Sequence, residues 1–378
     1  MEPKTETVSL LKRLEQLTDP RVERTKLHLL EDIVMLTIMA VICGADSWTE
    51  VEEYGNTKEE WLRQYLKLPN GIPSHDTIGN VMSRIKPKEF ENFFVQWMLS
   101  IAHITQGEVV SIDGKTLRRS YDTFSGKKAI HMVSAWASQN RMVLGQIKTE
   151  EKSNEITAIP KLLDTLILNG CIVTIDAMGC QTKIAEKIIA NGADYVLALK
   201  GNQGEFHEDV KHQFEFIPPA QVDEQTDKGH GRIETRKCSV ISNLQFLDQA
   251  EQWKGLSTIA KVESTRIIGE EQKTETRYYI SSLAADAQKI NSAVRTHWQI
   301  ENSLHWSLDV TFKEDDCRIR KGYGDENFSV VRRIALNLLK NDTSIRKGIK
   351  TKRMKAGWDN EYLMKICYCS GRYGARAK

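Results

Sequence analysis

Three acidic residues, each in its own local context, are the positions of this 378-residue chain best placed to do chemistry. They are Asp113 in V-V-S-I-D-G-K-T-L-R, Asp176 in C-I-V-T-I-D-A-M-G-C and Glu301 in H-W-Q-I-E-N-S-L-H-W. Two stand at the ends of apolar β-type runs; the third interrupts the apolar stripe of a helix. Carboxylates so placed are costly unless something positive draws them together. A pair of divalent cations is the leading candidate, since hard cations take oxygen ligands.

The elements that must position them are legible locally. Val109 to Ile112 is a β-branched run with Gly114 just beyond the acid, so Asp113 reads as the last residue of a strand. Cys171 to Ile175 repeats the form, entered from Asn169-Gly170 and followed by Ala177 and Gly179. In open parallel sheets functional groups gather beyond the carboxyl ends of strands, so both aspartates are expected on one edge. The ordinary alternative for either is an Asp that caps a turn or the next helix. At helical spacing Val294, Trp298, Glu301, Leu304 or His305, and Leu308 share a face, and Glu301 sits where the pattern calls for Leu. Its ordinary alternative is a buried acid satisfied by His297 or His305, one turn away on either side. Such a pair adds little net stability, which favours a catalytic or metal-binding role.

Further strands are expected over Ile130 to Ala137 and Met142 to Ile147, joined as a hairpin by Ser138-Gln139-Asn140-Arg141 after a polar turn over residues 121–127. A helix follows with Pro160 in its first turn and a stripe of Leu162, Leu163, Leu166 and Ile167, stopped by Asn169-Gly170. After the Asp176 strand come a helix with Ile184, Ala185, Ile188 and Ile189 on one face and a strand from Tyr195 to Leu199. A three-strand meander followed by alternating helices and strands is the layout of a ribonuclease-H-like α/β core.

At this point the residues also carry a family resemblance. I-D-G-K-T-L-R, E-K-S-N-E-I-T-A-I-P, T-I-D-A-M-G-C-Q, A-L-K-G-N-Q, H-G-R-I-E-T-R, R-Y-Y-I-S-S and H-W-Q-I-E-N-S-L-H-W-S-L-D-V occur in that order. Together they resemble the H-repeat-associated transposases, bacterial insertion-sequence transposases with a DDE triad, from about residue 19 to beyond 340. The resemblance implies that Asp113, Asp176 and Glu301 form the metal-binding triad. It also implies an inserted subdomain in the separation before the third acid (301 − 176 = 125 residues). Related transposases carry Y-x2-R-x3-E-x6-K around the glutamate; here Val294, His297 and Leu308 stand in place of Tyr, Arg and Lys. The phosphate contacts of that Arg and Lys therefore do not carry over.

The function expected is DNA transposition: hydrolysis at the element ends, then attack of a 3′-hydroxyl on target DNA. The triad would hold two Mg2+ ions, with Mn2+ as a substitute, about 3.5–4 Å apart. Double-stranded DNA is the expected partner, bound by a homodimer because two element ends must be joined. Lys115, Arg118, Lys200 and Asn202, just past the active-edge strands, are candidates for holding the phosphate. Two other classes stay open. A catalytically decayed DNA-binding protein would fail to nick DNA. An ATPase on the related actin-like fold would turn over nucleotide without DNA, but no G-x-x-x-x-G-K-[ST] loop is present.

Composition bounds these readings. A net charge of +2 does not by itself demand a nucleic-acid partner. Residues 340–378, however, hold eleven Lys or Arg against three Asp or Glu (11 − 3 = +8). Lys350, Lys352, Arg353 and Lys355 are the DNA candidates of a basic tail over 346–378. Seven scattered cysteines argue against a disulfide framework, and Cys367-x-Cys369 alone is weak evidence for zinc. The charged start lacks the form of a signal peptide, and the longest apolar run, Ile33 to Ala45, has 13 residues, short of a membrane span and suited to a buried helix. A cytoplasmic setting without membrane contact is the expectation.

The expected organisation is a helical unit over 1–103, core segments over 104–204 and 281–345, a β-rich insertion over 205–280, and the tail. In the first unit, helical stripes over Leu10 to Leu17, Leu29 to Cys43 and Glu59 to Leu66 precede a helix capped by Ser74 with Ile78, Val81, Met82 and Ile85 inward. That helix could be the second of a helix-turn-helix, though most such pairs only pack. Arg232 and Arg236 are candidate DNA contacts in the insertion, where alternating charges on exposed strand faces are the ordinary explanation.

Overall fold

The fold begins with helices, and the reason is the run L-E-D-I-V-M-L-T-I-M-A-V-I-C. Apolar on every side, it can only be a helix surrounded by others. The structure, a computed structural model, describes residues 10–368 apart from 103, 122–125, 127, 150–154 and 230. The polar turn near residue 124, the E-K-S-N stretch, His230 and Cys369 thus fall wholly or partly outside the described residues.

The first helices are α1 (Leu10–Leu14), α2 (Leu30–Cys43), α3 (Trp48–Leu62), α4 (His75–Met82) and α5 (Pro87–Ile101). In α2, Ile33 to Leu36 and Ile38 to Ile42 are fully buried. Ser47 caps α3 and Ser74 caps α4, each side chain accepting a backbone N–H three residues on. The sequence reading starts a short helix at Glu59; the helix actually starts at Trp48, where Ser47 and Glu50 form the cap. It also passes over α5, although Pro87 at the first turn and the spacing of Phe90, Phe93, Phe94 and Trp97 mark it.

The sheet holds β1 (Val109–Thr116), β2 (His131–Ala137), β3 (Met142–Thr149), β4 (Ile172–Ile175) and β5 (Asp194–Leu199), with α6 (Glu155–Leu163) and α7 (Thr182–Ala190) between the later strands. It continues through α8 (Gly204–Phe216), β6 (Gln221–Gly229), β7 (Arg232–Ile241), β8 (Thr258–Ile268) and β9 (Glu271–Ser281). The strand order is β3-β2-β1-β4-β5-β9-β8-β7-β6. β1 pairs antiparallel with β2 and parallel with β4, and β4 runs parallel to β5. This is the ribonuclease-H-like arrangement. The stretch 205–280 opens with α8, which the sequence did not signal. Its four strands join the free edge of β5 antiparallel, so they extend the core sheet rather than form a second one.

Two expectations about local structure are corrected. Pro160 lies at the sixth position of α6, not in its first turn, and the helix stops at Leu163. The buried stripe is accordingly Ala158, Ile159, Leu162 and Leu163, while Ile167 is exposed. Nor is Asp113 the end of its strand. Only the parallel pairing stops there; β1 runs on to Thr116 because β2 pairs with it through Gly114, Lys115 and Thr116.

After β9 come α9 (Ala287–His297), two π-helical segments (Glu301–His305 and Ser307–Thr311), α10 (Gly324–Asn341), α11 (Ile349–Trp358) and α12 (Asn360–Tyr368). The two sheet faces follow strand alternation. Val110, Ile112, Val173 and Ile175 pack under α6 and α7, whereas Val109, Ile172 and Val196 pack under α9. The N-terminal helices share one apolar cluster with α10, α11 and α12, which includes Leu36, Ile334, Ala356 and Leu363. The expected basic tail is therefore two packed helices at least as far as Tyr368. No described helix is long and apolar enough to cross a membrane.

Candidate active site

Strand parity decides where Asp113 points. It shares the face of Val109 and Ser111, which is the α9 face, and Ile112 pairs with Ile175, so Asp176 follows at the next position of the neighbouring parallel strand. Thr174 Oγ1 donates to Ser111 Oγ at 3.1 Å and lies 3.0 Å from His297 Nδ1, from which it then accepts. This polar strip docks the end of α9 against the two strands. Burial pushes the His297 imidazole down to about 4, leaving it neutral near pH 7.

Asp176 is held by its own turn: Oδ1 accepts from the Met178 N–H at 3.0 Å and the Gly179 N–H at 3.3 Å. Asn202 Nδ2 donates to Ala177 O at 2.7 Å, and Gln203 Nε2 donates to Cys180 O at 2.5 Å. The loop after β5 thereby braces the loop after β4. Gly114 has an equally local cause, because a Cβ there would lie 2.3 Å from both Glu155 Oε1 and His131 Nε2. Those two side chains form a buried pair, 2.6 Å apart, against Gly114.

Glu301 is not buried on an apolar stripe, as the helical spacing suggested; its side chain is 55% exposed at the rim of the cleft. The physical reason is the helix type. Ile300, Leu304, Leu308 and Phe312 are all 0% exposed, a spacing of four at every step. An α-helix would carry such a row round towards the side of Glu301, whereas the wider π turn carries it the other way and leaves Glu301 facing out. Trp298, expected inward, is exposed too, with the Arg277 guanidinium 4.4 Å above its ring.

His305, at the far end of the first π segment, completes the cluster. Its Nδ1 lies 3.5 Å from Asp113 Oδ2 and 3.4 Å from Glu301 Oε2. One ligand atom from each of Asp113, Glu301 and His305 lies within 4.8 Å of the others. Burial pushes the Asp113 carboxyl up to about 7; His305 opposes that shift, while Glu301 and Asp176 add to it. The contact with His305 holds Glu301 below the usual carboxylate value. The sequence reading named His305 only as a partner for Glu301; its contact with Asp113 is long-range and had no local signal.

The cations nominated from sequence divide in two. Lys115 is buried, with Nζ 2.7 Å from both Asp309 and Asp315 and 3.8 Å from Glu314, so it knits β1 to the second π segment and the residues just after it. Asn202 is spent on Ala177 as described. Arg236 reaches Asp227 at 2.7 Å and Arg232 reaches Glu234 at 3.2 Å. Arg118 is exposed beside Asp315, and Lys200 and Lys350 are exposed. Lys355 pairs with Asp359 one turn on, at 2.5 Å.

Lys352 and Arg353 are turned inward, contrary to a role as phosphate contacts. Lys352 Nζ donates to Leu339 O at 2.8 Å and to Asp342 O at the end of α10. Arg353 Nη2 donates to Val41 O at 2.8 Å near the end of α2, and Nη1 to Thr311 O. Both cations satisfy carbonyls that a helix terminus leaves open. Lys352→Met and Arg353→Met are each expected to lower unfolding free energy by about 1–3 kcal/mol. The salt dependence of DNA binding should stay unchanged. Denaturant melts and binding titrations across salt check this; a flattened salt slope with unchanged stability would return the two residues to the DNA surface.

Comparison with known proteins agrees with this geometry. Residues 104–338 match the family model described as "Transposase DDE domain", and residues 11–98 match one described as "DDE_Tnp_1-associated". The chain is 45% identical over 355 residues to "H repeat-associated putative transposase YhhI" of Escherichia coli (strain K12), covering 91% of this chain and 93% of that one. It is 45% identical over 381 residues to "Putative transposase YncI" of Escherichia coli O157:H7, covering 97% and 96%. "Putative protein YbfL" of strain K12 is similar to the same degree, 45% over 355 residues. With its ribonuclease-H-like sheet and an acidic cluster at the strand edge, the chain belongs to the DDE transposase family.

Proposed function

We propose that this chain is an active transposase that uses Asp113, Asp176 and Glu301 to cut DNA at the ends of its element and join them to a target. The observation that carries the reading is the meeting of Asp113 and Glu301, 188 positions apart (301 − 113), at the edge where Asp176 also emerges. Asp113 is held largely out of water, where its charged form is costly without a positive partner.

The DDE domain implies use of divalent metal, and the donors present fit it: oxygen ligands from separate elements, one buried and one open to the cleft. Asp113, Asp176 and Glu301 would hold two Mg2+ ions, which when bound supply Lewis acidity at the phosphorus and to the attacking and leaving oxygens. The chain's own contribution is placement. The turn amides fix Asp176, the Ser111–Thr174–His297 strip seats α9, and the π turn presents Glu301. In cleavage a P–O3′ bond gives way to a P–O bond from water; in transfer the freed 3′-hydroxyl takes the place of water. The partner is double-stranded DNA, engaged by a homodimer since two ends must be joined, and the setting is the cytoplasm. Arg118, Lys200 and Lys350, exposed in the structure, remain the phosphate contacts of this reading.

Incubation of the purified chain with Mg2+ and a duplex carrying the flanking repeats of its element should yield 3′-hydroxyl nicks that EDTA suppresses. Specific binding of that duplex with no nick in Mg2+ or Mn2+ would instead identify a decayed, DNA-binding member of the family.

A further inference from the structure

We propose that His305 is itself a ligand of the divalent cation, coordinating through Nδ1 alongside Asp113 and Glu301, an inference that rests on the metal-dependent reading above. The distances point to ligation. Nδ1 stands 3.5 Å from Asp113 Oδ2 and 3.4 Å from Glu301 Oε2. A charge-assisted hydrogen bond from a ring N–H to a carboxylate closes to about 2.7–2.9 Å. Donor atoms that share one octahedral cation with bonds of about 2.1 Å lie roughly 3–4.2 Å apart. The observed spacings fall in that second range for both carboxylates at once.

The ring is buried, and the backbone adds independent support. The imidazole is 6% exposed, and its Nε2 is buried without a hydrogen-bond partner among the described residues. Its polar contacts are therefore concentrated at Nδ1, the atom turned to the carboxylates. Glu301 and His305 are also the first and last residues of one π-helical segment. π turns are rare and concentrate at functional sites. Here the turn brings an acid and an imidazole to the same cleft.

A nitrogen donor changes which ion the site prefers. Imidazole favours later first-row ions over Mg2+, which takes oxygen almost exclusively. His305 should therefore raise affinity for Co2+ most, for Mg2+ least, with Mn2+ between.

The test uses the full chain without DNA. Pulsed electron paramagnetic resonance of bound Mn2+ should show coupling to a 14N nucleus in the wild type. The coupling should vanish in His305→Gln and survive in His297→Gln, which separates the two nearby rings. Calorimetry should show His305→Gln weakening Co2+ by about tenfold or more, Mn2+ by less and Mg2+ least. Absence of nitrogen coupling in the wild type, or its persistence in His305→Gln, overturns the assignment even if the variant folds poorly, because the wild-type spectrum needs no variant. Mn2+ binding that Asp113→Asn and Glu301→Gln leave untouched would overturn the triad reading as well. Binding that depends on those carboxylates but lacks nitrogen overturns only the role of His305.

Discussion

Asp113→Asn, Asp176→Asn and Glu301→Gln are each expected to lower metal-dependent strand cleavage by about a thousandfold or more while leaving the chain folded and able to bind DNA. Each amide keeps the size of the acid but loses the charge a hard cation needs. Several kcal/mol of transition-state stabilisation go with it, and each 1.36 kcal/mol is a factor of ten in rate. A nicking assay beside a thermal melt measures both halves. Cleavage at the wild-type rate in any one variant removes that residue from the site.

For Asp113 the same substitution carries a stability signature with the opposite sign. Its carboxyl titrates near 7 in the folded chain against an ordinary 3.8, so between those values the folded state binds more protons than the unfolded one. Without metal, stability therefore falls as pH rises from about 4 to about 7 and is flat above. The whole effect is at most about 4 kcal/mol, since one pKa unit is about 1.4 kcal/mol. Asp113→Asn should lack that slope, so the metal-free variant should outlast the wild type by a few kcal/mol at pH 8 and by less at pH 5. Equal stability of the two chains at pH 8 would mean that Asp113 is better solvated than the structure shows. A residue that weakens the empty fold and serves the loaded one is the usual trade between stability and activity.

Why the aspartates were legible and the rest of the site was not follows from what each contact depends on. Asp113 and Asp176 are placed by strand pattern, which is local: β-branched residues, then an acid, then glycine at once (Gly114) or three residues on (Gly179). The order of the five core strands could be read for the same reason, since each is bounded by its own turn signals. Glu301 is singled out by its neighbours' spacing, but its exposure is not, because a 3.6-residue period does not hold where the backbone adopts a wider turn. The row Ile300, Leu304, Leu308, Phe312, with its repeat of four, was the available clue.

The cations failed for a different reason. Lys115, Lys352 and Arg353 look alike in a sequence whether they meet phosphate or carbonyl, and their partners lie far along the chain: Asp309, Leu339 and Val41. A dense basic run reads as a solvated surface, yet Lys352, Arg353 and Ala356, grouped at helical spacing, are the buried face of α11. Charge counts over a segment say nothing about which side of a helix each charge occupies until the apolar positions, here Ala356 with Leu363 and Ile366 beyond, fix that face.

Glu314→Gln is expected to cost about 3–5 kcal/mol of stability, the usual loss when one member of a buried ion pair is removed. Glu314 and Arg333 have side chains that are 0% exposed and meet at 2.8 Å. Arg333 Nη1 also donates to Ser329 O at 3.1 Å and Ser329 Oγ at 2.5 Å, and Lys115 Nζ lies 3.8 Å from the other carboxylate oxygen. Burial alone would push the Glu314 carboxyl up, but Arg333, then Lys115 and Arg332, outweigh it and hold the group at about 2 against an ordinary 4.5. The sign follows: the folded value lies below the unfolded one, so this stabilisation is fully present above about 4.5 and is lost as pH falls towards 2. Glu314→Gln should therefore be far less stable than wild type at pH 7 and converge on it near pH 2. Replacing both partners with apolar residues of similar volume, Glu314→Leu with Arg333→Met, should recover part of the loss in denaturant melts, because Arg333 is then not left unpaired and Lys115 keeps Asp309 and Asp315, while buried Arg332 still loses the charge it faces. It should not recover cleavage. Lys115 stands two residues beyond Asp113 on the same strand face, and removing one of its three acidic partners loosens the part of β1 that carries the proposed catalytic carboxylate. If the double variant regained stability and cut DNA at the wild-type rate, the anchor would be a stabilising device alone.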